Sequence, residues 1–180
     1  VLFRSTRDLL TSTSVVALLA IGITPVVVMR HIDLSIASTV GLTAWLIADM
    51  CAKNPDFTWV QCFIVGPIIG TLVGIVNGFL VAGLRLPSLV VTLGTLYIVR
   101  GLVYVISNSV DYNAQEMPPS LIEDLGQKVF FGLLPFTFSL VIVFMIIIAF
   151  FMKYAKSGRD AYAIGSNPPA AEDRKSTRLN

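Results

Sequence analysis

The stretch Val60–Leu84, VQCFIVGPIIGTLVGIVNGFLVAGL, runs for 25 residues without a charged side chain. Because a helix rises about 1.5 Å per residue, this stretch is long enough to cross a hydrocarbon core of about 30 Å. Its glycines, Gly66, Gly70, Gly74 and Gly78, are spaced four apart and share one face of such a helix. Since small residues let a second helix approach closely, we predict a spanning helix that packs through its glycine face.

The composition of the whole chain indicates lipid as its solvent. Of the 180 residues, 55% are hydrophobic and only 13% are charged, and the mean hydropathy is +0.80. Soluble domains carry about 25% charged residues, so a soluble fold that buries this stretch in its core is disfavoured. The net charge of +2 is too small to indicate nucleic-acid binding. We expect the lipid bilayer as a partner and no nucleic acid.

Five long apolar segments follow one another along the chain. They predict spans at residues 9–29, 34–50, 60–84, 86–108 and 129–152, of which the second is short. The predicted fold class is therefore an all-α polytopic membrane protein with about five transmembrane helices. Prolines lie in or beside four of these spans, at Pro25, Pro67, Pro87 and Pro135. In a spanning helix, proline marks a kink or a break.

Basic residues near the span ends predict the orientation, because they favour the cytoplasmic side. The last span is followed by Lys153, Lys156 and Arg159. Counting back from this cytoplasmic end places the turns at Arg30 and Arg85 inside as well. The loops 51–59 and 107–128 are then outside, and the second of these is predicted to form a short interfacial helix at 121–126.

The two cysteines leave two alternatives open. Cys51 and Cys62 flank the first outer loop, and they are either a disulfide or small buried apolar residues.

The end segments 1–5 and 175–180 resemble translated sequencing-adapter sequence, so we treat both as artefacts and exclude them from the fold. The transmembrane region then covers residues 6–172, including a cytoplasmic segment at 153–172.

Three motifs carry a family resemblance. They are Arg30–Ser38 (RHIDLSIAS), Asn77–Thr95 (NGFLVAGLRLPSLVVTLGT) and Gly158–Ala171 (GRDAYAIGSNPPAA). In order and spacing they resemble the permease subunits of bacterial ATP-binding cassette (ABC) sugar importers of the ribose, rhamnose and autoinducer type. The resemblance covers about residues 7–172. This chain departs from the pattern at Arg30-His31, where many relatives have a glycine pair, and at Ala37, where glycine is frequent.

The resemblance implies a non-catalytic transport subunit in the bacterial inner membrane, corresponding to half of a permease with about ten helices. It would form the path for a monosaccharide or a related small ligand and would bind no cofactor itself, since ATP and Mg²⁺ belong to a partner ATPase. Its implied partners are ATPase subunits, a second permease subunit in a homo- or heterodimer, and a periplasmic sugar-binding protein.

The same resemblance makes the third motif the ATPase-docking segment. Its residues are Gly158, Arg159, Tyr162, Ala163, Ile164, Gly165, Asn167, Ala170 and Ala171. From the residues alone, Gly158 is predicted to end the last span. Asn167 and Pro168 are predicted to begin a short helix, because asparagine is a good N-cap and proline suits the first helical position. A solvated connector is the alternative interpretation of this segment.

Six polar residues in or beside the spans are candidates for the substrate path. Asp33 and Ser35 offer hydrogen bonds to sugar hydroxyls, although Asp33 is also well placed to cap the following helix. Asn77, Thr92 and Thr95 either contact substrate or bond between helices. Arg100 either meets an acceptor inside the bundle or snorkels outward to the membrane surface.

Three other kinds of membrane protein are alternatives to a sugar permease. An intramembrane protease needs a catalytic histidine on a helix apart from its serine, whereas the single histidine, His31, lies in a break between spans. An ion-coupled secondary transporter also has broken helices and a midplane site, and it is the open alternative. Because it needs no ATPase, the segment 158–171 discriminates between the two. A vitamin or metal importer permease of related architecture can be distinguished from a sugar permease only by substrate assays.

Overall fold

The computed structural model describes residues 2–54, 56–108, 110–113, 117–118, 129–130 and 134–167. These residues divide into two compact units, one drawn from 1–32 and 129–180 and the other from 33–128. The predicted interfacial helix at 121–126, the predicted helix start at Pro168, and Ala170 and Ala171 lie outside the described residues.

The described residues contain six α-helices and one short hairpin. The helices are α1 (Leu2–Val28), α2 (Ile36–Lys53), α3 (Trp59–Gly78), α4 (Ser88–Ser107), α5 (Phe136–Tyr154) and α6 (Lys156–Ser166). A π-helical turn, Phe79–Gly83, extends α3. The hairpin pairs β1 (Val129–Phe130) with β2 (Leu134–Pro135) in antiparallel register. The all-α fold class is confirmed.

Two turns that carry predicted cytoplasmic arginines have the same local geometry. Arg30 follows α1 with a φ of 61°, and Arg85 precedes α4 with a φ of 56°. A single residue in the left-handed region cannot continue a right-handed helix, so each arginine interrupts the helical path of the chain. Beyond Arg85, Pro87 begins α4 at a position where its missing N–H costs no helical hydrogen bond.

Among the described residues, four helices are long and apolar enough to cross a membrane: Thr6–Val28, Trp59–Gly83, Ser88–Ser107 and Phe136–Tyr154. Four of the five predicted spans therefore have a matching helix. The helix α2 is not among them, because its 18 residues include Asp49 and Lys53 as well as several small polar side chains. The span predicted at 34–50 is helical, but its crossing of the membrane stays a prediction.

Two predicted boundaries are wrong. The helix expected over 129–152 begins only at Phe136, because the preceding residues pair as the hairpin and Pro135 has the extended ψ of 145°. The last span ends at Tyr154 rather than at Gly158, which is instead a buried residue inside α6. Ala155, with a ψ of 146°, separates the two helices.

Each unit packs around few buried side chains. In the first unit α1 packs against α5 and α6. In the second unit α2 packs against both α3 and α4, with Leu42 and Val91 among the buried apolar residues. Large apolar side chains elsewhere on the helices are exposed, such as Ile98 at 72% and Val105 at 73%. Such surfaces fit a chain surrounded by lipid rather than water.

Candidate functional site

The segment that leads into α2 is organised by the carboxylate of Asp33. Its Oδ1 accepts the backbone N–H of Ser35 at 2.8 Å and the hydroxyl of Ser35 at 2.6 Å. Ser35 immediately precedes α2 and is only 2% exposed. A carboxylate at this position is stabilised by the N–H groups at the start of a helix. The second oxygen, Asp33 Oδ2, bonds to no other residue in the described part of the chain.

The hydroxyl of Ser35 also begins a connection between helices. Asn77 Nδ2 donates to Ser35 Oγ at 2.8 Å, and Thr95 Oγ1 donates to Asn77 Oδ1 at 2.6 Å. Asn77 is 7% exposed and Thr95 is half-buried. We call these four side chains, Asp33, Ser35, Asn77 and Thr95, the polar network. It joins α2, α3 and α4 within one unit, and it satisfies polar groups that would be costly to bury alone.

The polar network lies toward one end of this unit. Ser35 precedes the first turn of α2, Asn77 is in the last turn of α3, and Thr95 is about two turns into α4. These helix ends adjoin the turns at Arg30 and Arg85. The orientation predicted from basic residues therefore puts the network in the cytoplasmic half of the membrane.

The other two predicted path residues do not belong to the polar network. Thr92 is 3% exposed, and its hydroxyl donates to the carbonyl of Ser88 in the preceding turn at 2.9 Å. Arg100 is exposed on α4 and makes no hydrogen bond or ion pair with the residues that the structure describes. An interior acceptor, one of the two alternatives for Arg100, is thus not found among them.

A second cluster, which sequence reasoning missed, lies in the C-terminal half of α2. Tyr112 donates its hydroxyl to Asp49 Oδ1 at 2.6 Å, and Lys53 Nζ bonds to Asp49 Oδ2 at 2.8 Å. Trp45 Nε1 donates to the carbonyl of Val110 at 3.0 Å, and its ring lies 6.1 Å from that of Tyr112. These contacts hold the start of the loop after α4 against α2. The enrichment of tryptophan and tyrosine at span ends was the available sequence signal.

The described part of the predicted docking segment forms the amphipathic helix α6. Its buried face carries Gly158, Ala161 and Gly165. Arg159, Tyr162 and Ile164 are exposed and Ala163 is half-buried. Asn167 ends the helix, with its backbone N–H donated to the carbonyl of Ala163 at 3.0 Å, and the helix predicted to begin at Asn167-Pro168 lies outside the described residues. Every third or fourth residue of α6 is thus small and buried, and the opposite face is open.

The glycine face of α3 is only partly packed. A Cβ added at Gly66 would lie 3.7 Å from Thr43 Cγ2 and 3.8 Å from Ile47 Cδ1, so this glycine faces α2. At Gly70, Gly74 and Gly78 an added Cβ would meet no described atom within 4 Å. The helix-packing role is therefore seen at Gly66 and stays a prediction for the other three.

Neither a disulfide nor a metal cluster is recorded in the residues that the structure covers. Cys51 is a buried free thiol and Cys62 is a half-buried one. Among the described residues, no group of three His, Cys, Asp or Glu side chains could hold a metal ion.

Comparison with known proteins identifies the family. A family described as "Branched-chain amino acid transport system / permease component" matches residues 5–173. The chain is 36% identical to the autoinducer 2 import system permease protein LsrC of Enterobacter sp. (strain 638), over 94% of this chain and 48% of that protein.

Other similar relatives have the same description. The LsrC protein of Klebsiella pneumoniae is 36% identical over 89% of this chain and 45% of its own length. That of Yersinia pseudotuberculosis serotype O:3 is 33% identical over 87% and 43%. The chain spans about half the length of these curated relatives. No solved structure gives a significant match.

The family match agrees with the helices of the structure. It covers α1 to α6, including the four helices that can span a membrane. A permease component is the membrane part of a transport system, so the prediction of a non-catalytic transport subunit is confirmed at the level of the family. The chain belongs to the permease component family of branched-chain amino acid transport systems, and it is a multi-pass protein of the bacterial inner membrane.

Proposed function

We propose that this chain forms part of the translocation path of an ABC importer for a monosaccharide or a related small polyhydroxylated ligand. The observation that carries the proposal is the polar network, which brings a carboxylate, an amide and two hydroxyls together between apolar helices. The relatives described as autoinducer 2 import permeases support the same class of importer. Hydrolysis of ATP would occur in a separate subunit.

The polar network keeps hydrogen-bonding capacity that a sugar could use. Asp33 Oδ2 has free lone pairs, and the Asn77 amide has a second N–H beyond the one donated to Ser35. Asp33 is half-buried, so its carboxylate is partly accessible to a ligand. A hydrogen bond from a neutral hydroxyl to a carboxylate is stronger than one between neutral groups.

The proposed mechanism is alternating access. Binding of ATP closes the partner ATPases, and their closure moves α6, whose exposed face carries Arg159 and Tyr162. The helices then rock about the ligand path, which opens alternately to each side. A periplasmic binding protein would deliver the ligand, and a second permease subunit would complete the path.

The test is uptake into vesicles that contain the intact parent protein, a partner ATPase and a periplasmic binding protein. Labelled ribose and labelled autoinducer 2 are offered separately, either with ATP inside or with an ion gradient alone. Uptake of one of these probes is expected to need ATP and the partner ATPase. Uptake on an ion gradient without ATP would instead establish the secondary transporter.

The polar network is tested in the same vesicles with a matched pair of variants. Asp33→Asn is expected to raise the ligand concentration for half-maximal uptake about tenfold, since a hydrogen bond to a charged group contributes about 1.5–3 kcal/mol. Asp56→Asn removes the same charge from an exposed loop position and is expected to change nothing. If Asp33→Asn and the unaltered protein gave equal uptake curves, the assignment of Asp33 to the ligand path would be wrong.

A further inference from the structure

The buried face of α6 contacts its neighbours through the backbone. A Cβ added at Gly165 would overlap the carbonyl oxygen of Val28, the last residue of α1. One added at Gly158 would lie 2.5 Å from the carbonyl oxygen of Phe151 and 2.6 Å from Cα of Met152, both in α5. All of these residues belong to the same compact unit. Two glycines, seven residues apart on one helix face, thus place α6 directly on the main chain of two spanning helices.

Such a contact is mechanically different from a contact between side chains. Side chains can change rotamer and absorb a small displacement, whereas closely packed backbones cannot. The last turn of α1 is closed by hydrogen bonds, since Arg30 donates its N–H to the carbonyl of Val27 at 2.9 Å and His31 donates to that of Val26 at 3.1 Å. A push on α6 therefore reaches the end of α1 without a flexible intermediate.

The opposite face of α6 is available to receive that push. Tyr162 is 53% exposed and Ile164 is 38% exposed, with Arg159 and Asp160 also on the surface. One side of the helix is thus open to a partner while the other is seated on α1 and α5. Along the chain, Asp33 of the polar network follows Val28 by only five residues.

We propose that α6 and the end of α1 move as one body, and that the contact between Gly165 and Val28 carries the displacement of α6 into the membrane. Gly165 was predicted above as a docking residue, but it is buried against Val28, so we reassign it to a positioning role in transport. The inference rests on the proposed function, since it takes the moving partner to be an ATPase subunit. It adds which contact links that partner to the spans.

The test is Gly165→Ala in the intact parent protein, assembled with its ATPase and binding protein in vesicles. We expect unchanged amounts of copurified ATPase, because Tyr162 and its exposed neighbours are retained. The number of labelled ligand molecules imported per ATP hydrolysed is expected to fall about tenfold, within the usual range of coupling between sites. Ser157→Ala, at an exposed position of the same helix, is expected to leave this ratio unaltered.

The outcomes separate this inference from the proposed function. An unchanged import ratio in Gly165→Ala overturns the inference, as does a loss of copurified ATPase in step with uptake, which would make the face a docking surface. If the unaltered protein shows no import with ATP, the proposed function fails, whatever the variant does.

If the Gly165→Ala protein does not accumulate in the membrane, a second measurement tests the inference. Val28→Cys and Ser166→Cys are combined in a protein that lacks the native thiols through Cys51→Ala and Cys62→Ala. Equal cross-linking yields with a flexible bis-maleimide, without nucleotide and with ADP–vanadate, would support one-body movement. A yield that changes between these states would overturn it.

Discussion

Asn77 uses both ends of its amide in the polar network, one as donor to Ser35 and the other as acceptor from Thr95. Its sequence context gave two possible roles, substrate contact or bonding between helices. The structure shows the bonding between helices. Contact with substrate is compatible with it, because the amide keeps one N–H that is not donated. A polar residue in an apolar helix can therefore serve packing and ligand binding together.

Asn77→Leu should lower the free energy of unfolding of the parent protein by about 1 kcal/mol. Two hydrogen bonds between helices are lost, and such bonds average about 0.6 kcal/mol each in membranes. Ser35 can still donate to Asp33 and Thr95 to the carbonyl of Val91, so the loss stays small. Unfolding in SDS, followed by circular dichroism, measures the change.

Thr39→Ala is the matched control for Asn77→Leu. The hydroxyl of Thr39 bonds only to the carbonyl of Ser35, which still accepts from the backbone N–H of Thr39 and from the Ser38 hydroxyl. No buried group is orphaned, and a smaller effect than that of Asn77→Leu is expected. Equal losses in both variants would contradict a special role for the network.

At the scale of elements, α2 is the helix whose relation to the membrane is open. It is shorter and more polar than the four candidate spans, yet α3 and α4 both pack against it. A helix of 18 residues is about 27 Å long, close to the thickness of the hydrocarbon core. Packing against neighbours shields its Ser and Thr side chains from lipid. We therefore expect α2 to cross the membrane.

Cysteine labelling tests this crossing. In a protein without native cysteines, Asn54→Cys is expected to react with a membrane-impermeant maleimide in spheroplasts, whereas Arg30→Cys should react only after the membrane is opened. The two positions flank α2 and lie on opposite sides if it spans. Reaction of both positions from the same side would show that α2 does not cross.

At the scale of the whole molecule, the apolar surface is the dominant feature. Long apolar side chains cover the faces of α3, α4 and α5 that pack against no described residue. Each unit buries only a few side chains. A soluble chain with this surface would aggregate, because large exposed apolar patches associate in water. In a bilayer the same side chains contact lipid at no such cost.

The parent protein should therefore stay in the membrane pellet after washing with alkaline carbonate and should need detergent for extraction. After purification, removal of detergent is expected to cause precipitation, which light scattering and gel filtration would detect. A monodisperse protein in detergent-free buffer would contradict the membrane assignment. A soluble ATPase, purified in parallel without detergent, provides the comparison.

Sequence alone determined the class of this molecule and its family. Long uncharged stretches specify spanning helices because a bilayer forces every backbone group to bond within its own helix, and that rule is local. The three motifs were also local, and they named the right family. Helix boundaries were predicted less well where local backbone geometry, and not hydrophobicity, decides where a helix begins or ends, as near Pro135 and Gly158.

Only the tertiary structure decided which polar residues meet. Asn77 and Ser35 are 42 residues apart, and nothing in their spacing joins them, since helix pairing depends on side-chain packing between segments distant in sequence. The same holds for the hydrogen bond from Tyr112 to Asp49 and for the backbone contact between Gly165 and Val28. The exposure of Arg100 likewise follows from how α4 is turned toward its neighbours, which periodicity cannot specify.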